Sequence, residues 1–147
     1  MRARPTDVLP TLRSCPTLSR IPLDGLRLLA EMAEEERYEA GEVIVARGET
    51  AERMGVVARG RLDVHVADSG APVRILTPGE LFGEYGMFSG GIRTATVRAG
   101  EESVVYSFAY DRFKAFLITF PQASFVLLES AVARLRSCEA RLRELGA

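Results

Sequence analysis

Short runs of β-branched residues occupy the middle of this 147-residue chain, from residue 41 to residue 109, and glycine, proline, aspartate or glutamate separates them. The runs are EVIVARGE, MGVVARG, RLDVHVADSG, PVRILTPG, TATVRAGE and SVVYSFA. Within the third run, Leu62, Val64 and Val66 alternate with polar or small residues, which is the period of a half-buried antiparallel strand. The segment ADSGAP that follows predicts a hairpin turn. Six or more such strands without intervening helices predict an antiparallel β-roll, that is, a jelly roll or double-stranded β-helix.

The segments on either side of this roll have the helical period. Residues 8–36 predict an N-terminal helical bundle, with Asp24 as the cap of a helix that breaks by Gly41. Residues 110–145 predict two helices that are separated at Pro121, because proline disfavours a helical conformation in the residue before it. The predicted fold class is therefore α+β, and the length predicts a single domain over residues 1–147.

The last predicted helix carries an apolar seam with alternating spacings of three and four residues. Its members are Leu128, Ala131, Leu135, Cys138, Leu142 and Leu145. A 3.5-residue period is compatible with a helix that pairs with a second copy of the chain, which would make a homodimer. The same pattern fits an amphipathic helix that lies on its own β-roll. The spacing alone leaves both interpretations open.

The charge and hydropathy of the chain exclude several classes of function. The chain has 19 basic and 20 acidic residues, whereas nucleic-acid-binding domains carry a basic patch, so direct DNA binding is not expected. No apolar run approaches the roughly 20 residues of a membrane span. The N-terminus lacks the continuous apolar region of a secretory signal. We therefore expect a cytoplasmic protein without a membrane partner.

The residues that catalysis or metal binding would need are scarce. His65 is the only histidine, so the several-histidine metal site of a cupin cannot be built. Cys15 and Cys138 form no CxxC pair, and we expect both to be small buried apolar residues. A P-loop and a nucleophile with a plausible base are also missing. The sequence therefore predicts no metal, no cofactor and no enzymatic activity.

The stretch from Phe82 to Val97, FGEYGMFSGGIRTATV, is the most informative part of the chain. Backbone amides that are exposed in a glycine-rich turn, or at the start of a short helix, point at anions. Arg93 supplies a planar donor fork that matches phosphate oxygens. Glu84, nine residues earlier, is a poor phosphate ligand but suits a sugar hydroxyl, which can donate to a carboxylate. The two side chains are predicted to hold opposite ends of a sugar phosphate without performing chemistry on it.

This stretch resembles the phosphate-binding cassette of cyclic nucleotide-binding domains, whose usual form is F-G-E-x-A-L, a short variable stretch, then P-R-x-A-T/S. The resemblance continues through YEAGEVIVARGE, MGVVARGRLDV and PGELFGE and covers most of the chain. It implies a regulatory domain in which the roll over residues 41–109 holds cAMP or cGMP through a cassette at residues 82–97. It also implies that the helices over residues 110–145 move and act as a lid when the ligand binds.

The resemblance also implies a role for each matching residue. Glu84, with the backbone of Gly83, would hold the ribose 2′-hydroxyl. Arg93 would pair with the cyclic phosphate, helped by the amides of Gly86 and Ala95. The ligand would be the partner of the domain, and a separate effector protein, or an output domain outside these residues, would receive the signal.

Two further positions concern the ligand and its pocket. Phe82 would line the pocket, and a hydroxyl at Thr94 can favour guanine in the syn conformation. Because many cAMP binders also have a threonine there, both nucleotides stay candidates. The chain departs from the usual form at Gly86 and Met87, in place of Ala-Leu, and at Ile92, in place of proline. Both departures leave the charged contacts intact, but Gly90, Gly91 and the missing proline would loosen the loop and weaken affinity.

Two alternatives accompany this interpretation. In the first, Glu84 and Arg93 form a structural salt bridge in a degenerate domain that has lost its ligand and acts as a dimerisation or interaction module. The second concerns the late arginines. Because acidic residues interleave with them, we expect them on a solvated helix face. In the alternative, one of them, or an apolar neighbour, covers the nucleotide base when the last helix closes. These arginines are Arg134, Arg136, Arg141 and Arg143.

Overall fold

The computed structural model describes residues 1–68 and 70–146. The helices are α1 (Pro5–Ser14), α2 (Leu23–Met32), α3 (Gly86–Ser89), α4 (Tyr110–Thr119) and α5 (Gln122–Glu144), with a 3-10 turn at Leu18–Arg20. The strands are β1 (Glu34–Tyr38), β2 (Val43–Val45), β3 (Arg53–Arg59), β4 (Leu62–His65), β5 (Arg74–Leu76), β6 (Leu81–Phe82), β7 (Thr96–Ala99) and β8 (Ser103–Ala109).

The strands form two antiparallel sheets of four strands each, which confirms the predicted α+β fold with an antiparallel roll. One sheet has the order β1-β8-β3-β6 and the other has the order β2-β7-β4-β5. Strand β4 pairs with β5, as the predicted hairpin requires. Ser69, which belongs to the segment ADSGAP of the predicted turn, lies outside the described residues.

The predicted boundaries of the N-terminal helical bundle, residues 8–36, are wrong at both ends. Helix α1 begins at Pro5, and α2 ends at Met32. The glutamates that follow belong to β1, where Glu34 lies opposite Ser107 of β8. The pairing with β8 outweighs the helix propensity of glutamate, which is worth only tenths of a kcal/mol per residue. Asp24 is not the cap either: it lies in the first turn, and Pro22 occupies the N-cap position.

The two central strands of the first sheet, β3 and β8, are buried on both faces. Val56 packs in the cluster that joins the roll to the helices, whereas its neighbour Val57 packs in the cluster between the two sheets. Val104 and Val105 of β8 divide in the same way. A strand that is covered on both sides reads as a continuous apolar run, which explains why these two runs lack the clear alternation of RLDVHVAD.

Helix α4 holds the C-terminal part of the chain to the roll through aromatic packing. Phe113 is fully buried, and its ring centroid lies 6.5 Å from that of Phe108 on β8 and 5.5 Å from that of Phe116. Helix α5 starts after Pro121, where the sequence predicted the break between the two helices. The C-terminal helices are therefore anchored to the roll by the packing of α4 against β8, and this anchor is the base from which α5 starts.

Helix α5 leaves this base and is largely unpacked. Its buried residues, Ala123, Val126 and Leu127, all lie in its first two turns. The seam residues Leu128 and Leu135 are 59% and 58% exposed. The interpretation in which the seam lies on its own β-roll is therefore wrong, and pairing with a second copy stays a prediction.

No single helix among the described residues has both the length and the apolar composition to cross a membrane. In the part of the chain that the structure describes, one pair, α4 and α5 taken together, meets that test, and it is bent by 116° at the break between the two helices.

Candidate functional site

A cavity of about 390 Å³ opens in the roll between its apolar interior and the stretch from Phe82 to Val97. Side chains of the β2-β7-β4-β5 sheet form its apolar wall, among them Val64 and Val97. All seven residues that the sequence singled out line this one cavity. They are Phe82, Gly83, Glu84, Gly86, Arg93, Thr94 and Ala95. Their roles as ligand contacts stay predictions.

Glu84 follows β6 and is a buried carboxylate without a complete set of partners. The residue is 8% exposed, and among the described residues its Oε2 atom accepts no hydrogen bond. Its Oε1 atom lies 3.9 Å from Nη1 of Arg134. Burial raises the pKa of the carboxyl, an effect that a hydrogen bond from its own backbone amide opposes first, and the charges of Arg134 and Arg74 after it. A buried acceptor in this state has capacity for a donor that comes from outside the chain.

Arg93 is fixed by its backbone to a neighbouring loop. Its amide donates to the carbonyl of Glu49 at 2.8 Å, and the amide of Gly48 donates to its carbonyl at 2.9 Å. In the side chain, Nη2 donates to the carbonyl of Arg53 at 2.6 Å. That bond occupies one of the five N–H donors of the guanidinium.

The salt bridge between Glu84 and Arg93 that the degenerate alternative assumes is not formed in the described part of the chain. The arginine that lies near the Glu84 carboxylate is Arg134. The two predicted contact residues therefore line one cavity without an ion pair between them.

Gly83 allows Arg93 to approach. Its φ is +80°, in the left-handed region that side chains disfavour, and a Cβ atom there would lie 2.6 Å from Nη1 of Arg93. The carbonyl of Gly83 accepts a hydrogen bond from the hydroxyl of Tyr110, the first residue of α4. Glycine at this position therefore allows the left-handed turn and also leaves the space in which the Arg93 guanidinium lies.

The charges around the cavity are mostly positive. Three of its four charged lining residues are arginines, namely Arg74, Arg93 and Arg134, and the fourth is Glu84. Arg74 is paired with Glu80 at 3.6 Å. An apolar wall, cationic groups and one buried acceptor suit a ligand with a flat apolar part, an anionic group and a hydroxyl donor.

Sequence reasoning placed the late arginines on a solvated helix face, kept as an alternative that one of them covers the base, and did not single out Arg134 for contact with the cavity. Its guanidinium carbon lies 5.3 Å from the centre of the Tyr85 ring, within the range of a cation–π contact. Arg134 lies on α5, far from the cassette in sequence, so no local pattern indicates the contact. The other late arginines are exposed as predicted.

A second cavity of about 650 Å³ separates α5 from the roll and shares Glu84, Tyr85 and Arg134 with the first. Cys15 and Cys138 also line it. Cys15 is buried as predicted, but the expectation for Cys138 is wrong, because this part of α5 is exposed. Residues 1–68 and 70–146 contain no group of three or more His, Cys, Asp or Glu side chains that could hold a metal ion.

Comparison with known proteins agrees with this geometry. The family profile described as cyclic nucleotide-binding domain matches residues 35–120. An NTE family protein of Mycobacterium tuberculosis is 32% identical over 133 residues, which cover 90% of this chain and 22% of that protein. Human cGMP-dependent protein kinase 2 is 32% identical over 130 residues, which cover 84% of this chain and 17% of the kinase.

The fold has solved relatives as well. The catabolite activator protein of Thermus thermophilus superposes with a TM-score of 0.79 at 23% identity, covering 89% of this chain and 63% of that one. At that identity the likeness shows the fold. The chain spans about a fifth of the length of the curated relatives it matches.

Proposed function

The chain belongs to the cyclic nucleotide-binding domain family, and from that premise we propose that it binds cAMP or cGMP in the 390 Å³ cavity and reports the ligand through its C-terminal helices. The cavity falls within the range of about 300–1,000 Å³ that is usual for small-molecule sites. The matched family also favours a sensor or regulatory role over an enzymatic one.

The observation that carries this proposal is the buried carboxylate of Glu84 with its unpartnered Oε2. Leaving a buried polar group unpaired costs about 1–3 kcal/mol, and more for a charged group. A ribose 2′-hydroxyl that donates to this oxygen would remove that cost. The proposed ligand therefore supplies a partner that the described residues of the chain do not.

Arg93 is proposed to hold the other end of the ligand. Its guanidinium can present two parallel N–H donors to the oxygens of a cyclic phosphate. The amides of Gly86 and Ala95 would add donors on the same side. Phe82 and the apolar wall would contact the sugar and the base.

The choice between the two nucleotides concerns Thr94. This residue is exposed and lines the cavity, so its hydroxyl is accessible to a purine. A contact with the guanine amino group in the syn conformation would favour cGMP. We therefore propose the class, a purine cyclic nucleotide, and leave the preference to the titration below.

The change on binding is proposed to be a shift in the position of α5. The residues of the helix from Val132 onward are exposed, and a cavity of about 650 Å³ separates the helix from the roll. Arg134 already lies at the mouth of the nucleotide cavity. A ligand that contacts both the roll and Arg134 would stabilise the arrangement in which α5 lies closer to the roll.

Partners other than the ligand follow from the same helix. The exposed seam with Leu128, Leu135 and Leu142 at seven-residue intervals favours a homodimer through α5. A separate effector, or an output domain outside residues 1–147, would read the movement. The two free cysteines fit a reducing compartment, and we propose the cytoplasm as the location.

Calorimetric titration of the purified protein with cAMP and, separately, with cGMP tests the proposal. We expect micromolar or tighter binding of at least one nucleotide. Arg93→Ala should lose about 2–5 kcal/mol of binding free energy, or tens to a few thousand-fold in affinity. Arg98→Ala, on the exposed side of β7, is the matched control and should bind like the wild type.

Two results would contradict the proposal. The first is the absence of heat with either nucleotide from a folded protein, which would make dimerisation through α5 the better account. The second is an Arg93→Ala variant that binds as tightly as Arg98→Ala. For the proposed movement, unchanged amide exchange over residues 110–146 on ligand addition would exclude a lid.

A further inference from the structure

Tyr110, the first residue of α4, lines a cavity together with Gly86 and Met87 of the cassette and is not among the residues that line the nucleotide cavity. It is 7% exposed, its amide donates to the carbonyl of Glu52 at 2.9 Å, and its hydroxyl donates to the carbonyl of Gly83. Burial raises the pKa of this hydroxyl, and the nearby Arg93 guanidinium opposes the increase. The side chain is therefore a neutral donor that is held at both ends.

Gly86 leaves the space that this hydroxyl occupies. A Cβ atom at position 86 would lie 2.5 Å from the Tyr110 oxygen but 3.4 Å from the ring carbon that bears it. The backbone of Gly86 is not left-handed, so the glycine is needed for space and not for its conformation. If the oxygen were absent, the nearest atoms to an alanine Cβ would be the Cβ of Ala51 at 3.3 Å and the ring carbon at 3.4 Å, so the hydroxyl oxygen is the one severe clash among these three. The hydroxyl and the glycine are therefore sterically matched.

The same hydrogen bond bears on the placement of Arg93. Gly83, whose carbonyl Tyr110 holds, is the residue against which the guanidinium lies: a Cβ there would be 2.6 Å from Nη1. Movement of the Gly83 turn would move the surface on which Arg93 rests. Tyr110 is thus connected to the Arg93 guanidinium through Gly83, whose carbonyl accepts the tyrosine hydrogen bond.

We propose that Tyr110 is a positioning residue for the anion-binding side of the cavity, and that Gly86 supplies the space its hydroxyl requires. This inference rests on the proposed function, because the anion is the phosphate of the cyclic nucleotide. Tyr110 begins α4, so a displacement of Arg93 and the Gly83 turn on binding reaches the C-terminal helices at their first residue.

Four proteins test this: the wild type, Tyr110→Phe, Gly86→Ala and the double variant. We expect Tyr110→Phe to lower cyclic nucleotide affinity by about threefold to tenfold, the range for one hydrogen bond. Gly86→Ala should lower the affinity and the melting temperature further, because the added Cβ displaces the Tyr110 ring and also breaks its hydrogen bond to Gly83. In the double variant the alanine should cost much less than it does in the wild type, with only the 3.3 Å contact to the Cβ of Ala51 remaining. Tyr106→Phe, another buried tyrosine in the helix-side core, is the matched control.

A second cycle distinguishes positioning from a purely structural role. Tyr110→Phe is compared in the wild-type and Arg93→Lys backgrounds, since lysine keeps the charge but loses the planar fork. If Tyr110 acts through the arginine, its loss should weaken binding in the wild type and have little effect beside lysine. A purely structural role would lower the melting temperature equally in both backgrounds without this difference in affinity.

The outcomes separate this inference from the proposed function. A wild type that binds neither nucleotide overturns the proposed function, and the positioning role with it; unfolding of the four proteins then decides the match between Gly86 and Tyr110 by itself. A wild type that binds, with Tyr110→Phe equal to it, overturns the inference alone. Additive losses in the double variant also overturn it. If Gly86→Ala does not fold, Tyr110→Phe and the lysine cycle still decide.

Discussion

Nη1 of Arg134, on the long C-terminal helix, lies 3.9 Å from Oε1 of Glu84, the buried carboxylate of the roll. The same guanidinium lies over the ring of Tyr85. One side chain of α5 therefore contacts two adjacent cassette residues, although the rest of the helix around it is exposed. This contact is the direct connection between the proposed ligand site and the helix that is proposed to move.

We expect Arg134→Ala to weaken cyclic nucleotide binding by about threefold to tenfold, because the guanidinium lines the cavity and can stack on a purine base. Calorimetry with the better ligand measures the loss. Arg136→Ala, on the exposed surface of the same helix, is the control and should bind like the wild type. Tighter binding by Arg134→Ala would contradict a lid role and show that Arg134 competes with the ligand for Glu84.

Glu84→Gln should raise the stability of the unliganded protein near neutral pH by about 1 kcal/mol, the lower end of the cost of an unpaired buried polar group. Burial raises the pKa of Glu84, so the folded state binds a proton more readily than the unfolded chain. The wild type is therefore penalised above the raised pKa, and it recovers stability relative to the variant as the pH falls through that pKa. Thermal unfolding across this range should show a gap that narrows with decreasing pH.

Glu101→Gln, in the exposed turn before β8, is the control for this comparison and should show no such gap. Glu84→Gln should also bind cyclic nucleotide much more weakly than the wild type, because it loses the charged acceptor for the ribose hydroxyl. If Glu84→Gln is less stable than the wild type near neutral pH, the prediction is wrong, and Arg134 satisfies the Glu84 carboxylate in the protein without ligand.

Leu135→Glu should weaken self-association of the protein by about tenfold or more, because a dimer through the seam would bury the new charge without a partner. Leu135 is 58% exposed in the single chain, so the monomer should tolerate the change. Sedimentation equilibrium measures the association. Arg136→Glu places the same side chain one position away, off the seam, and should dimerise normally. A wild type that stays monomeric at high concentration would exclude the seam as an interface.

The strands and the candidate site were accessible from sequence because their signals are local. RLDVHVAD alternates within a few residues, and its strand, β4, lies where that pattern indicates. Glu84 and Arg93 belong to one short glycine-rich stretch, and the structure places both around one cavity. Residues that are close in the chain constrain one another directly, so their pattern carries the geometry.

Glu34–Tyr38 shows where local signals fail. Three consecutive glutamates favour a helix, yet the segment pairs with β8 from the far end of the roll. A partner strand that is distant in sequence supplies the backbone hydrogen bonds, and the local propensity is too weak to oppose it.

The periodicity and the cassette motif were enough to determine the roll, its flanking helices and the residues around the cavity, since each depends on neighbours along the chain. Three features were decided only by tertiary structure: the contact of Arg134 with Glu84, the space that Gly86 leaves for Tyr110, and the exposure of the α5 seam. Each depends on how far apart two elements lie after the chain has folded. No pattern within either element specifies that distance.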